Sequence, residues 1–165
     1  MSDSLRIIPL GGVGEVGKNI TLIELDDEIL VVDCGLAFPE PEMLGIDLVI
    51  PDVTYLEEHR DNVRGIILTH GHEDHTGALP YVLPKIPGTP IYATRLTEGL
   101  VQGKLREHKL LDSTPLHVVE PGREPRRPAA AGFRQRSSRT ACSRPSRRES
   151  NRTAGSRRRG CRSRR

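Results

Sequence analysis

Hydrophobic and polar positions alternate early in the chain and then give way to buried runs. Leu5 to Leu10 is a short apolar run that stops at Gly11-Gly12. Asn19 to Leu25 is β-branched and alternating, the signature of a half-buried strand. Asp26-Asp27-Glu28 makes a polar turn, and Glu28 to Asp33 is a second, more apolar run, so the pair predicts a hairpin. Arg64 to Thr69, Pro90 to Ala93 and Pro115 to Val119 read as three further strands. Helices fit between them. One is predicted to start at a Thr94 cap and to bury Leu96, Leu100, Val101 and Leu105 on one face, with Gly99 and Gly103 weakening it. Strands alternating with helices give an α/β fold class over residues 5–122.

The pattern ends abruptly. Residues 123–165 contain no Val, Ile, Leu or Met, and Phe133 is their one aromatic residue. Such a segment cannot bury enough apolar surface to offset chain entropy, so it is expected to be a disordered, low-complexity tail. Charge divides at the same place. Residues 1–122 carry 9 Lys and Arg against 20 Asp and Glu, whereas residues 123–165 carry 16 Arg against 2 Glu. The overall charge of +3 therefore averages two unlike segments. A basic arm that grips phosphates is one reading of the tail, although it lacks interleaved aromatics for base stacking. Its Arg, Ala, Pro and Gly also match codons rich in G and C, so a GC-rich gene read out of frame is the other.

Several classes are excluded or disfavoured. No apolar run approaches the ~20 residues that span a bilayer. Met1-Ser2-Asp3-Ser4 lacks the basic and apolar regions of a secretory signal. Cys34, Cys142 and Cys161 are odd in number and without metal-type spacing, which suits thiols in a reducing cytoplasm. Gly12-Val13-Gly14-Glu15-Val16-Gly17 matches the glycine fingerprint of dinucleotide sites, with Asp33 16 residues beyond Gly17. Its context disagrees: the residues that follow read as a strand, whereas a pyrophosphate site needs a helix N-terminus. The glycines are expected to let a loop turn tightly beside a site.

The strongest chemical signal is Thr69-His70-Gly71-His72-Glu73-Asp74-His75-Thr76-Gly77-Ala78-Leu79, at the end of a buried strand. His70, His72, Asp74 and His75 place four metal-binding groups within six residues. In extended chain, residues i and i+2 point the same way, so His70 and His72 can grip one ion. Asp74 and His75 project differently, which suits a second. Imidazole and carboxylate donors favour zinc, with manganese for a more oxygen-rich site. Glu73 is not needed as a ligand. His59 and His108 read as solvated helix residues, and His117 as a strand residue rather than a ligand.

The H-x-H-x-D-H run after a buried strand resembles the hallmark of the metallo-β-lactamase fold. Gly11 to Asn19, Val32-Asp33-Cys34-Gly35, Met43 to Asp47, Ile50-Pro51-Asp52 and Gly77 to Tyr81 sharpen this into a resemblance to the ribonuclease J family over roughly residues 5–122. The resemblance implies an αββα sandwich, of which residues 5–122 would be the first half. It also implies a two-zinc RNA hydrolase with 5′-to-3′ exonuclease and endonuclease activity in RNA decay and maturation. His70 and His72 would hold one zinc, Asp74 and His75 the other, with Asp33 bracing the ligand loop and Asp47 at a calcium-associated position. The full-length family implies a cytoplasmic homo-oligomer acting on RNA, with no membrane partner. That family completes its site with a further His, a bridging Asp and a late His, yet no His follows His117 and no Asp follows Asp112. The chain is accordingly expected to be a truncated or frameshifted piece, unstable, weak in zinc and inactive. Two alternatives are a metallo-β-lactamase-fold hydrolase of a small ester or thioester, and a non-enzymatic RNA-binding remnant working through its basic tail.

Overall fold

A computed structural model describes residues 4–120 and Gly122. The chain divides into two units, Met1–Arg127 and Pro128–Arg165, and the described residues all fall in the first. The tail expected at 123–165, with Cys142 and Cys161, lies outside the described residues.

Six strands form one sheet in the order β1-β2-β3-β4-β5-β6: Leu5–Gly11, Ile20–Leu25, Glu28–Val32, Val63–Ile67, Ile91–Ala93 and Leu116–Val118. β1, β2 and β3 run antiparallel, and β3 to β6 run parallel. Asp26 and Asp27, both with positive φ, close the β2–β3 hairpin in a two-residue loop. That geometry twists in the sense of the strands it joins, and short acidic side chains tolerate it. The parallel crossovers carry helices α1 (Thr54–Glu58), α2 (Glu73–Thr76), α3 (Leu79–Val82) and α4 (Arg95–Glu107). Among the described residues no helix is long and apolar enough to cross a membrane.

The two sheet faces differ. On one, Ile20, Leu22, Ile29, Val31, Ile66 and Ile91 join Leu56 of α1, Leu79 and Val82 of α3, and Val101 and Leu105 of α4 in a single buried core. On the other, Ile23 pairs with Ile7 and Leu30, and Val32 with Ile67, in an apolar row that stays partly open. Ile7 is 67% exposed and Ile67 38%.

Four expectations need correction. The core stripe of α4 is Thr97, Val101 and Leu105, spaced four apart, whereas Leu96 and Leu100 are 79% and 56% exposed. Thr94 does occupy the N-cap position, but its hydroxyl meets Thr97 Oγ1 at 3.2 Å and makes no bond to a backbone N–H. The strands β3 and β4 stop at Val32 and Ile67, earlier than the apolar runs suggested. Asp33 leaves extended geometry with φ +62, and Thr69 N–H donates to the Asp33 carboxylate instead of to a strand. His59 is half-buried, stacked on the Tyr55 ring at 4.2 Å with Nδ1 2.9 Å from the Tyr55 carbonyl, so it is not simply solvated.

The glycine loop behaves as its context required. Gly12, Gly14 and Gly17 have positive φ, and the loop passes through Lys18 and Asn19 into strand β2 rather than into a helix. His117 stacks on Tyr92 in adjacent strands at 5.3 Å.

Candidate metal centre

The parallel register sets Val32 of β3 beside Ile67 of β4. The residues that follow each strand therefore emerge together at the C-terminal edge, where open α/β sheets place their sites. From β3 comes Asp33, and from β4 come Thr69 and His70. Asp33 is 6% exposed with no Lys or Arg among its bonded partners. Its Oδ1 accepts from Thr69 N–H at 2.8 Å, and both oxygens lie 2.9 Å from the Thr69 hydroxyl. Oδ2 lies 2.8 Å from His75 Nδ1.

These bonds bear on which ring nitrogens carry protons. An ionised carboxylate is acceptor only, so where Asp33 is ionised and the ring neutral, His75 Nδ1 donates and the lone pair is on Nε2. A Thr69 hydroxyl that gives its one proton to Asp33 accepts from His70 Nδ1, 3.0 Å away, and the lone pair is then on His70 Nε2. One buried carboxylate thus aims two imidazoles, one directly and one through a threonine.

Asp74 and His75 ride on α2, a four-residue turn that opens at His72. Its carbonyls are tied into the neighbouring loops. Leu36 N–H donates to the Glu73 carbonyl at 3.3 Å, Asn19 N–H to that of Asp74 at 3.1 Å, and Cys34 N–H to that of His75 at 2.8 Å. A Cβ on Gly35 would stand 1.6 Å from the Asp74 carbonyl oxygen, so only glycine lets the two segments approach this closely. Asn19 also donates from Nδ2 to that carbonyl at 3.0 Å, and the same Nδ2 lies 3.3 Å from Asp74 Oδ2 and from His75 Nε2. Cys34 beneath is wholly buried and free, and burial pushes its thiol well above the usual range.

The outcome is a convergent donor group. Ligand-type atoms of His70, Asp74 and His75 lie within 4.8 Å of one another. His72 is exposed and touches the group through His70, with its Nδ1 3.1 Å from His70 Nε2. The rings of His70 and His75 are 4.0 Å apart, so His70 stands against both neighbours rather than with His72 alone. Asp47 is exposed in the loop before Val49 and does not join this group. His59, His108 and His117 lie on other elements and also stay outside it. Beside His72 and Asp74 opens a cleft of about 520 Å³ whose walls include Val16, Leu36, Ala37 and Phe38.

Thr69 and Asn19 were not singled out from the sequence. Thr69 opens the histidine motif, and its position between Asp33 and His70 was the available signal. Asn19 follows the glycine loop, 55 residues from Asp74, and nothing local in the sequence points to that contact.

The family model for the metallo-beta-lactamase superfamily matches residues 13–136. The chain is similar to Ribonuclease J of Thermus thermophilus, with 58% identity over 112 residues, covering 66% of this chain and 20% of that protein. It is similar to Ribonuclease J of Synechocystis at 47% identity over 120 residues, covering 73% of this chain and 19% of that one. Against Ribonuclease J2 of Bacillus subtilis the identity is 52% over 118 residues, covering 72% of this chain and 21% of that one. The chain spans about a fifth of the length of these relatives. With the parallel strand ends, the histidine turn and a superfamily match over well above half its length, the chain belongs to the metallo-β-lactamase superfamily.

Proposed function

We propose that the described residues form the metal-ligand part of an RNA hydrolase, with His70, His72, Asp74 and His75 as ligands to zinc and Asp33 as the group that orients them. The observation that carries this reading is the convergence of His70, Asp74 and His75 donor atoms within 4.8 Å, with His75 bonded to the buried Asp33 and His70 linked to it through Thr69. Membership of the superfamily implies a divalent metal, and the donor set fits one. Imidazole lone pairs at His70 Nε2 and His75 Nε2 face a carboxylate, a nitrogen and oxygen set that suits zinc.

A bound divalent ion there would polarise a phosphoryl oxygen and make a bound water acidic enough to attack at neutral pH. The chain's own residues supply the geometry. Asp33 and Thr69 hold the two Nδ1 protons, so that both Nε2 atoms keep a lone pair for a metal. Asn19 fixes the carbonyl of Asp74 and so the direction of that side chain. The relatives' name supports RNA as the substrate, and the cleft beside His72 suits it. Phe38 there is 72% exposed, a surface on which an unstacked base can lie.

A two-zinc site calls for about six protein ligands, about three for each ion, whereas among the described residues one group of three convergent donors forms. This chain alone is therefore expected to bind zinc weakly and to leave RNA intact. Elemental analysis of the purified chain, with cleavage assays on 5′-phosphorylated RNA and on a thioester, tests the reading. Substoichiometric zinc and no turnover are expected. Stoichiometric zinc with EDTA-sensitive RNA cleavage would show the chain to be self-sufficient. Cleavage of the thioester alone would replace RNA with a small-molecule substrate, and complete absence of metal binding by a folded chain would remove the metal reading.

A further inference from the structure

Glu73 sits inside the ligand motif without being needed as a ligand, and its partner lies 31 residues away. Lys104 Nζ on α4 donates to both carboxylate oxygens of Glu73, at 2.8 and 2.7 Å, and lies 3.2 Å from Thr76 Oγ1. The lysine side chain is 17% exposed, well shielded for a charged group. One turn earlier on the same helix, Leu100 lies over Gly71. A Cβ on Gly71 would stand 2.5 Å from Leu100 Cδ1. Residues four apart share a helix face, so one stripe of α4 meets the ligand loop on both sides of His72. This accounts for Leu100, an apolar helix residue that the core does not use.

The turn that carries Asp74 and His75 needs such support. It has four residues and no side-chain N-cap, and a helix of that length does not persist alone. Its carbonyls are held from one side by Asn19, Cys34 and Leu36. Lys104 ties down its side chains from another element.

We propose that Lys104 is a positioning residue for the metal centre. Its two-oxygen pairing with Glu73, with Leu100 packed at Gly71, sets the turn bearing Asp74 and His75 and keeps the Glu73 carboxylate out of the donor group. The assignment rests on reading His70, Asp74 and His75 as metal ligands.

Cobalt(II) titration of the 165-residue chain, followed by visible d–d absorption, reports affinity and ligand geometry together, with far-UV circular dichroism as the check on folding. Lys104→Met is expected to weaken cobalt binding about 10-fold and to change the band intensity, the scale seen when groups that orient ligands are removed. Glu73→Ala, at a half-exposed helix position, should do the same. The double variant should be no weaker than either single one, because both act through one contact. Lys104→Arg, which can still reach both oxygens, should recover most of the affinity. Additive losses in the double variant, or parental affinity and spectrum in folded Glu73→Ala, would overturn the proposal, and the latter decides even if Lys104→Met does not fold. A folded parent chain that gives no cobalt spectrum would instead overturn the metal reading on which the proposal rests.

Discussion

Two carboxylates are buried in this sheet, and they are put to different uses. Glu24, 3% exposed near the end of β2, accepts from the Tyr55 hydroxyl at 2.7 Å and pairs with the Arg6 guanidinium. Tyr55 first, and Arg6 with it, holds the Glu24 carboxyl below the usual carboxylate range against the opposing effect of burial. Its charge is matched by a cation, and the cluster is closed. Asp33, 6% exposed just past the end of β3, meets Thr69 and His75 instead. Its hydrogen bonds end on groups that have a second face, reaching His75 directly and His70 by way of Thr69. A buried acid matched by arginine tethers strands, whereas one matched by imidazole and hydroxyl ties the end of β3 to Thr69 and His75. The elements are alike, and the partner decides.

Substitutions separate the two roles, and the largest effect is expected where the site loops touch. Gly35→Ala would drive a methyl into the Asp74 carbonyl, a backbone atom that cannot move aside alone. Metal binding measured by equilibrium dialysis should be abolished, and retained binding would show that the 34–36 and 73–75 segments do not need this approach. Asp33→Asn should be next. Its amide can no longer accept from both Thr69 and His75 through both oxygens, and a loss of metal affinity of about 100-fold is expected. Calorimetric titration with zinc checks it, and an unchanged affinity would detach Asp33 from the site.

The comparison inverts at Glu24. Glu24→Gln should lower the thermal midpoint by about 5 °C, a shift of the size that roughly 1 kcal/mol gives in a domain this small. Zinc affinity should not change, and a parallel loss of affinity would erase the distinction between the two acids. The pH dependence carries a definite sign. A carboxyl depressed in the folded state contributes stability that is fully present above its unfolded pKa and is lost as pH falls through the depressed folded value. Acid unfolding of Glu24→Gln, followed by circular dichroism, should therefore lose part of the parent's downward slope below the ordinary glutamate range. The smallest effect is at Cys34, whose thiol is buried and held protonated. In a chain with Cys142→Ser and Cys161→Ser, a thiol reagent should label Cys34 only after denaturant is added. Rapid labelling of the folded chain would mean that the floor of the site opens.

Much of this was legible before the structure. Alternation marked β2, and short apolar runs marked the other five strands, each end within two residues of the observed one. The four ligand-type residues were legible because they lie within one short run. Other features depend on distant contacts that leave no local trace. Alternation at Ile20, Leu22 and Glu24 does not reveal that the glutamate shares the buried face, since Arg6 and Tyr55 lie 18 and 31 residues away. Leu96 and Leu100 look like core on any apolar count, yet the buried stripe runs through Thr97 because α4 packs by its Val101 and Leu105 side. Asn19 and Lys104 reach the site only through the fold.

The central claim is that Asp33 fixes the proton positions of both histidines. Long-range nitrogen–proton NMR of the 15N-labelled, metal-free chain tests it most directly, since it reads which ring nitrogen of each imidazole bears the proton. The account predicts Nδ1–H with an unprotonated Nε2 at both His70 and His75, and mixed tautomers at both in Asp33→Asn. Protons on Nε2 in the parent chain, or tautomers unmoved by Asp33→Asn, would contradict it.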